Sequence, residues 1–191
     1  MAPSLVRLAA VAFAAALTVT ASACTASPDV SDEDTDVAEG QLVSFVCDRA
    51  EITKNNPNAP FAQVVDVRAA GHPDYDRFVM EFKGSVNVPN FSVKLRDNAT
   101  FHTPADPFTL PGTAGLDVNA FHASGFDFAT GQLTYTGPRT ITPTSTDVLL
   151  KARQYEDFEG HVGWGLGLER ATCYRAFKLA NPPRLVVDVQ R

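Results

Sequence analysis

The sequence predicts an all-β protein: a β-sandwich of two small, mostly antiparallel sheets, preceded by a disordered N-terminal tether. Apolar residues alternate with polar or small residues in many short segments, and this period of two is that of a half-buried strand. Clusters of Gly, Pro, Asn or Asp separate the segments, in a chain that has 12 glycines and 13 prolines. No segment keeps an apolar repeat at helical spacing. Short strands of this kind fit a β-sandwich or a partly open barrel.

The alternation predicts eight strands. Three apolar side chains share one face of the segment from Arg77 to Phe82. Trp164 and its apolar neighbours alternate with three glycines, which predicts a core position for Trp164 rather than a sugar-binding platform. The glycine face predicts a close approach of backbone or ligand. One short helix is expected around Cys47 to Lys54. The predicted strands are 63–68, 77–82, 91–95, 116–121, 148–155, 162–168, 175–179 and 184–189.

Residues 1–23 are typical of an export signal. Arg7 precedes an apolar stretch from Leu8 to Val19, which is shorter than the roughly 20 residues of a bilayer span. Ala21 to Cys24 resembles the lipobox of bacterial lipoproteins, so we expect Cys24 to carry lipid and to anchor the chain in the cell membrane. The same residues satisfy the A-x-A rule of an ordinary signal peptidase, which would instead release a secreted protein.

Residues 24–40 predict a disordered acidic tether. The segment carries acidic residues without any Lys, Arg or aromatic residue, so it cannot bury enough apolar surface to offset its ordering entropy. The chain has 16 basic and 22 acidic residues; one basic and six acidic residues precede Gln41, which leaves 15 and 16, a net charge of −1. This balance argues against a nucleic-acid surface, which needs a basic footprint.

The chain from Gln41 onward is the right size for one domain. Its strongest internal break is the Asn- and Pro-rich run from Lys54 to Pro60. We therefore expect a leading segment, residues 41–60, and a main domain, residues 61–191.

Two cysteines remain once Cys24 carries lipid. Outside the cytoplasm, a disulfide between Cys47 and Cys173 is their expected fate. It would tie the leading segment to the C-terminal part of the domain. The alternative is a pair of buried thiols that do not meet.

Two segments hold groups capable of chemistry, and turns explain both more simply. His72 to Asp76 offers one imidazole and two carboxylates, but Pro73 bends the segment and no second His lies nearby, whereas a metal site needs fixed ligand geometry. Glu156 to His161 could bind calcium or host acid–base chemistry, and a solvated turn between two strands is the simpler interpretation. The sequence thus predicts no catalytic residue, no metal and no cofactor. A small secreted hydrolase centred on Glu156 to His161 is the enzymatic alternative.

Three segments resemble a known family. Val64 to Arg68, Gly71 to Phe82 and Asn181 to Val189 look like the AMIN-like domain of actinobacterial lipoproteins, which is similar to the AMIN modules of cell-wall amidases and secretins. The resemblance covers roughly Phe61 to Arg191. It implies a β-sandwich without catalytic machinery of its own, in a module that localises a partner by binding peptidoglycan.

A peptidoglycan binder needs guanidinium groups for peptide carboxylates and aromatic faces for sugars. Arginines within the matching segments and tyrosines near predicted strand ends meet these needs. The candidate ligand-binding residues are Arg68, Arg77, Arg184, Tyr75 and Tyr155. The alternative is that the arginines are structural and pair with Asp66, Asp76 or Asp188.

Two hypotheses of different class follow. The first is a lipid-anchored, non-catalytic envelope protein that binds peptidoglycan. The second is an envelope adaptor that docks on another protein through an exposed apolar patch or an open sheet edge.

Overall fold

A computed structural model of the chain describes residues 43–84, 87–103 and 106–191. The predicted signal peptide, Cys24 and the acidic tether lie outside the described residues. Strands and turns, but no helix, occur in the described ranges, so no helix there is long and apolar enough to cross a membrane. The strands are β1 (Ile52–Lys54), β2 (Ala62–Gly71), β3 (Tyr75–Phe82), β4 (Asn90–Arg96), β5 (Thr100–Phe101), β6 (Phe108–Thr109), β7 (Ala114–Phe121), β8 (Ala123–Ser124), β9 (Phe126–Asp127), β10 (Gln132–Leu133), β11 (Thr140–Ile141), β12 (Leu149–Phe158), β13 (His161–Leu168), β14 (Tyr174–Leu179) and β15 (Arg184–Gln190).

Two sheets form the sandwich. The six-stranded sheet has the order β1-β4-β7-β13-β12-β11, and the five-stranded sheet has the order β14-β15-β3-β2-β8. Neighbouring strands are antiparallel except β2 and β8, which are parallel. Two short antiparallel pairs, β5–β6 and β9–β10, stand apart from both sheets. The predicted all-β sandwich is confirmed.

All eight predicted strands are present, and the predicted helix is wrong. Instead of forming a helix, residues 52–54 pair with β4 and place Ile52 opposite Val93. Just before them, Val46 forms an isolated antiparallel bridge with Tyr174. These long-range pairings hold the leading segment extended, since tertiary contacts override a weak local helix preference.

The core lies between the two sheets and is filled by the apolar side of each alternation. Phe78 of β3 faces Trp164 of β13 with ring centroids 5.6 Å apart, and both side chains are fully buried. The core position predicted for Trp164 is confirmed. Full burial of a large apolar side chain stabilises the fold by roughly 1.5–3 kcal/mol.

A second, smaller apolar cluster lies on the outer face of the six-stranded sheet. There Tyr155, Phe101 and Leu110 cover the glycines that alternate with the core residues of β13. A Cβ atom added at Gly165 would lie 2.9 Å from the Phe101 ring, and one added at Gly167 would lie 2.5 Å from the Pro111 carbonyl oxygen. The predicted close approach on the glycine face is therefore confirmed, and residues 108–111 make part of it.

A disulfide joins Cys47 to Cys173 across 126 residues, as predicted. It ties the leading segment to the residue that precedes β14. Closing a loop of this length stabilises the fold by about 4–5 kcal/mol in the entropic model of disulfides.

Asp76 ties the two sheets together at one end of the sandwich. The predicted turn comprises only residues 72–74, because β3 begins at Tyr75 and Asp76 is fully buried. Its Oδ2 accepts hydrogen bonds from the backbone N–H groups of residues 147–149, at 2.7–3.0 Å, and Arg191 Nε donates to its Oδ1 at 2.8 Å. Desolvation pushes the pKa of Asp76 upward, but these donors outweigh it and hold the pKa below its usual value.

Candidate functional site

Arg77 is held by a buried carboxylate. It lies on β3 opposite Asp188 of β15, and its Nε and Nη2 atoms donate to the two Asp188 oxygens at 2.7 and 3.0 Å. Arg175 of β14 donates to the same carboxylate at 2.9 Å, and the Asp188 side chain is 0% exposed. The hydrogen bond to Asp188 raises the pKa of Arg77. Both oxygens of this carboxylate are thus taken by arginines of neighbouring strands.

Aromatic rings enclose the same two arginines. The guanidinium carbon of Arg77 lies 4.9 Å from the centroid of the Tyr75 ring, and that of Arg175 lies 4.5 Å from the Phe45 ring. Phe177 lies 5.6 Å from both guanidinium carbons. Such cation–π contacts stabilise the pair where it is partly desolvated. The structure therefore brings Tyr75 and Arg77 together.

Arg68 and Arg184 have other contacts. Arg68 of β2 bonds Asp66 and also Glu81, the latter at 3.0 Å. Arg184 of β15 donates to the Pro182 carbonyl oxygen at 3.2 Å. Each arginine that the sequence singled out thus has a protein acceptor.

Tyr155 lies on the other sheet. Its ring packs beside Phe101 and Phe108, with centroids 6.3 and 6.2 Å away. Its hydroxyl lies 2.6 Å from Asp117 Oδ1 and 2.7 Å from Asn119 Oδ1, and its single proton serves one of them at a time. Burial, and then the charge of Asp117, raise the pKa of Tyr155. The five predicted binding residues therefore do not form one site.

A groove of about 460 Å³ lies on the outer face of the six-stranded sheet, at its β11 edge. We call it the cationic groove. Lys151 and Arg153 alternate with Ala152 along β12, so both project from the face that carries Gly165 and Gly167. Its lining residues are Thr109, Leu110, Pro111, Arg139, Thr140, Lys151, Arg153 and Gln154.

The three cations of the groove lack a carboxylate partner within the described part of the chain. Six arginines and two lysines elsewhere contact carboxylates within 4.0 Å, but Arg139, Lys151 and Arg153 are not among them. Arg153 has a π contact instead, since its guanidinium carbon lies 4.3 Å from the centroid of the Phe108 ring. Arg139 is fixed through its backbone, because its carbonyl oxygen accepts a bond from Gln154 N at 2.9 Å. Two guanidinium groups and one ammonium group thus remain available to an anion.

Sequence reasoning missed these three residues. Along the chain they are separated by a Thr- and Pro-rich loop with one acidic residue, Asp147, so a shortage of acidic neighbours was the available signal. The groove also requires residues 109–111 to fold over β13, and β6 and β11 have only two residues each. Strands that short show no alternation.

A separate patch of exposed apolar residues lies at the end of the sandwich where β2 begins and the β12–β13 hairpin turns. Phe158, Phe128 and Leu133 are 67, 64 and 57% exposed. Phe61 packs edge-on against Phe128, with centroids 5.5 Å apart. We call this patch the aromatic end, and its members are Phe61, Phe121, Phe128, Leu133 and Phe158. It is opposite the end where Val46 joins Tyr174.

Within the described ranges, no three His, Cys, Asp or Glu side chains come together as a metal site would require.

A family model described as the AMIN-like domain matches residues 62–191. No curated protein and no solved structure matches the chain.

Proposed function

We propose, from the fact that this chain belongs to the AMIN-like domain family, that it is an exported, lipid-anchored envelope protein whose β-sandwich binds peptidoglycan without catalysing a reaction. The family identifies the folded part as a binding module related to the cell envelope. The observation that carries the proposal is the extent of the match. Residues 62–191 contain every strand of the two sheets except β1.

The contacts of the Glu156 to His161 segment support a non-catalytic role. His161 Nε2 lies 2.9 Å from Asn119 Oδ1. Asp157 accepts hydrogen bonds from the Ser124 hydroxyl at 2.9 Å and from Gly125 N at 3.2 Å. These bonds fasten the β12–β13 hairpin to its neighbours, which gives both side chains a structural role.

Sedimentation with insoluble peptidoglycan tests wall binding. The exported chain is prepared with Cys24→Ser, so that no lipid can attach. We expect it to pellet with peptidoglycan and to stay in the supernatant after muramidase digestion of the wall. Wild-type protein that remains soluble beside intact peptidoglycan would contradict the proposal.

Fractionation of cells tests the lipid anchor. We expect the wild-type chain in the membrane fraction and the Cys24→Ser variant outside it. Intact mass should show diacylglycerol on Cys24 of the wild type. Equal distribution of the two chains would instead support release by an ordinary signal peptidase.

The aromatic end favours a second function, that of an envelope adaptor. Contiguous exposed apolar patches on soluble domains often mark protein interaction sites. Here the patch lies at the end of the sandwich away from Val46 and Tyr174, and its side chains are exposed.

Crosslinking in intact envelopes tests the adaptor function. We expect a stoichiometric crosslinked partner that survives muramidase treatment and is lost in a Phe128→Ser, Phe158→Ser variant. The exposed control Thr130→Ala should keep it. A crosslink that disappears with muramidase alone would contradict the adaptor function and favour wall binding.

A further inference from the structure

We infer that the cationic groove is the ligand site of this module and that it binds a peptide carrying carboxylates. This rests on the proposed function, because it names the part of the wall that is bound. The peptide stems of peptidoglycan carry such groups, whereas its glycan strands bring hydroxyl and acetamido groups. The first reason is the charge of the groove.

The three cations of the groove take no part in the ion pairs that hold the described part of the fold together. Like charges placed close together repel, and no carboxylate in the described ranges offsets Arg139, Lys151 or Arg153. The leading segment and the main domain together are nearly neutral, with 15 basic and 16 acidic residues from Gln41 onward. General solubility therefore does not account for a local excess of positive charge. An anionic ligand would supply the missing partner.

Contacts within the fold hold the Arg153 side chain and the backbone of Arg139 in place. Arg153 lies against the Phe108 ring, with 4.3 Å between the guanidinium carbon and the ring centroid. Arg139 is fixed by the bond from Gln154 N to its carbonyl oxygen at the β11 edge. A guanidinium group binds a carboxylate through two parallel hydrogen bonds, which a lysine cannot match. Two such groups, with Lys151 two residues from Arg153 along β12, favour a ligand that has more than one carboxylate.

Size and lining favour a peptide over a sugar or a bare ion. The volume of about 460 Å³ lies in the range of small-molecule sites, about 300–1,000 Å³. Leu110 and Pro111 offer apolar contact to small side chains, and Thr109 and Thr140 offer hydroxyl groups. No aromatic side chain is among the lining residues, and the nearby Phe108 ring is already covered by Arg153. A sugar ring would find no stacking surface here.

The test is calorimetric titration of the exported Cys24→Ser chain with a muramoyl tripeptide. Three competitor probes identify the chemistry: the same tripeptide with its carboxylates amidated, an uncharged N-acetylglucosamine oligomer, and inorganic phosphate. We expect the free tripeptide to bind and amidation to weaken binding by about tenfold or more, which corresponds to one good charge-assisted contact. Binding should also weaken with added salt, since the groove is open to solvent.

Paired variants locate the site. Arg139→Gln with Arg153→Gln should weaken tripeptide binding by about tenfold or more. The control Lys54→Gln with Lys178→Gln removes the same charge at positions outside the groove and should change binding by less than about twofold. Arg153→Lys keeps the charge but loses the paired donors, so it should give an intermediate loss.

The inference is overturned if the groove variant binds the tripeptide as the wild type does, or if the amidated peptide or the sugar oligomer binds equally well. Displacement of the tripeptide by phosphate at equal concentration would also overturn it, in favour of a general anion site. Sedimentation separates the two proposals. If wild type and groove variant pellet equally with peptidoglycan, wall binding stands and the groove assignment falls. If the wild type binds the tripeptide but does not pellet, the groove assignment stands and wall binding falls.

Discussion

The arginines on the outer face of the five-stranded sheet and the cations of the cationic groove are the same kinds of side chain in opposite circumstances. Arg77 and Arg175 converge on the fully buried Asp188, and Arg68 contacts two carboxylates. Arg139 and Arg153 have no carboxylate partner within the described ranges. The first set completes the fold, whereas the second leaves charge available to a ligand.

The difference teaches that residues within a recognisable motif are not thereby ligand contacts. The segments that resemble the family are strands β2, β3 and β15 of one sheet, and they bring their own acceptors. Removing a cation from each set should therefore have distinct consequences: loss of stability in the five-stranded sheet, and loss of binding in the groove.

The largest expected effect is that of Asp76→Ala, at the buried tie between the sheets. The substitution leaves three backbone donors and Arg191 without their acceptor. Breaking a buried charge network from one side costs about 3–5 kcal/mol, so we expect the free energy of unfolding to fall by about that amount in chemical denaturation. The exposed neighbour Asp74 is the control, and Asp74→Ala should cost less than about 0.5 kcal/mol. Equal losses of stability in the two variants would mean that the Asp76 carboxylate does not stabilise the fold.

Acid should weaken the same tie. Because the pKa of Asp76 is lowered in the folded state, its contribution is fully present above the unfolded-state pKa of about 3.9 and is lost as the pH falls through the folded-state value. We expect the stability of the wild type to decrease from about pH 5 to about pH 2 more steeply than that of Asp76→Asn. Parallel curves for the two proteins would contradict this assignment.

A smaller loss is expected from Arg77→Ala. Asp188 keeps Arg175 as a partner, so the charge of its carboxylate stays partly neutralised in the variant. Hydrogen bonds to charged groups contribute about 1.5–3 kcal/mol, and denaturation should show a loss of that order. Sedimentation with peptidoglycan should be unchanged at temperatures where the variant is folded. Loss of sedimentation in a fully folded variant would instead return Arg77 to the ligand-binding set.

The smallest effect on stability is expected in the groove. Arg139→Gln with Arg153→Gln removes mutual repulsion and one exposed cation–π contact, so we expect a change within about 0.5 kcal/mol in the free energy of unfolding. A loss above about 2 kcal/mol would mean that these cations are structural too, and the contrast between the two regions would fail.

Much of the fold could be predicted because strand formation leaves a local pattern. The alternation from Arg77 to Phe82 and around Trp164 marked both a strand and its buried face, and burial confirmed it. The strands that were missed have two or three residues, which is too short for a period of two to appear. The extended conformation of residues 52–54 was missed because it comes from pairing with β4, far along the chain.

The candidate site was less predictable, because it depends on which charges become neighbours. Arginine and carboxylate content was visible in the sequence, but Arg77 and Asp188 are 111 residues apart. Arg77 lies within the family motif, and this ion pair occupies its guanidinium group. The cationic groove forms because Leu110 and Pro111 pack over Gly167 beside β12, a contact that leaves no periodic signal.

The sequence by itself indicated the eight longer strands, the position of Trp164 in the core and the family, and it favoured the pairing of Cys47 with Cys173. Each of these depends on local alternation, on a count of cysteines or on a contiguous motif. Only the tertiary structure decided which cations are neutralised and which remain free. The physical reason is that charge pairing acts over a few ångströms in space, and the fold sets those distances independently of separation along the chain.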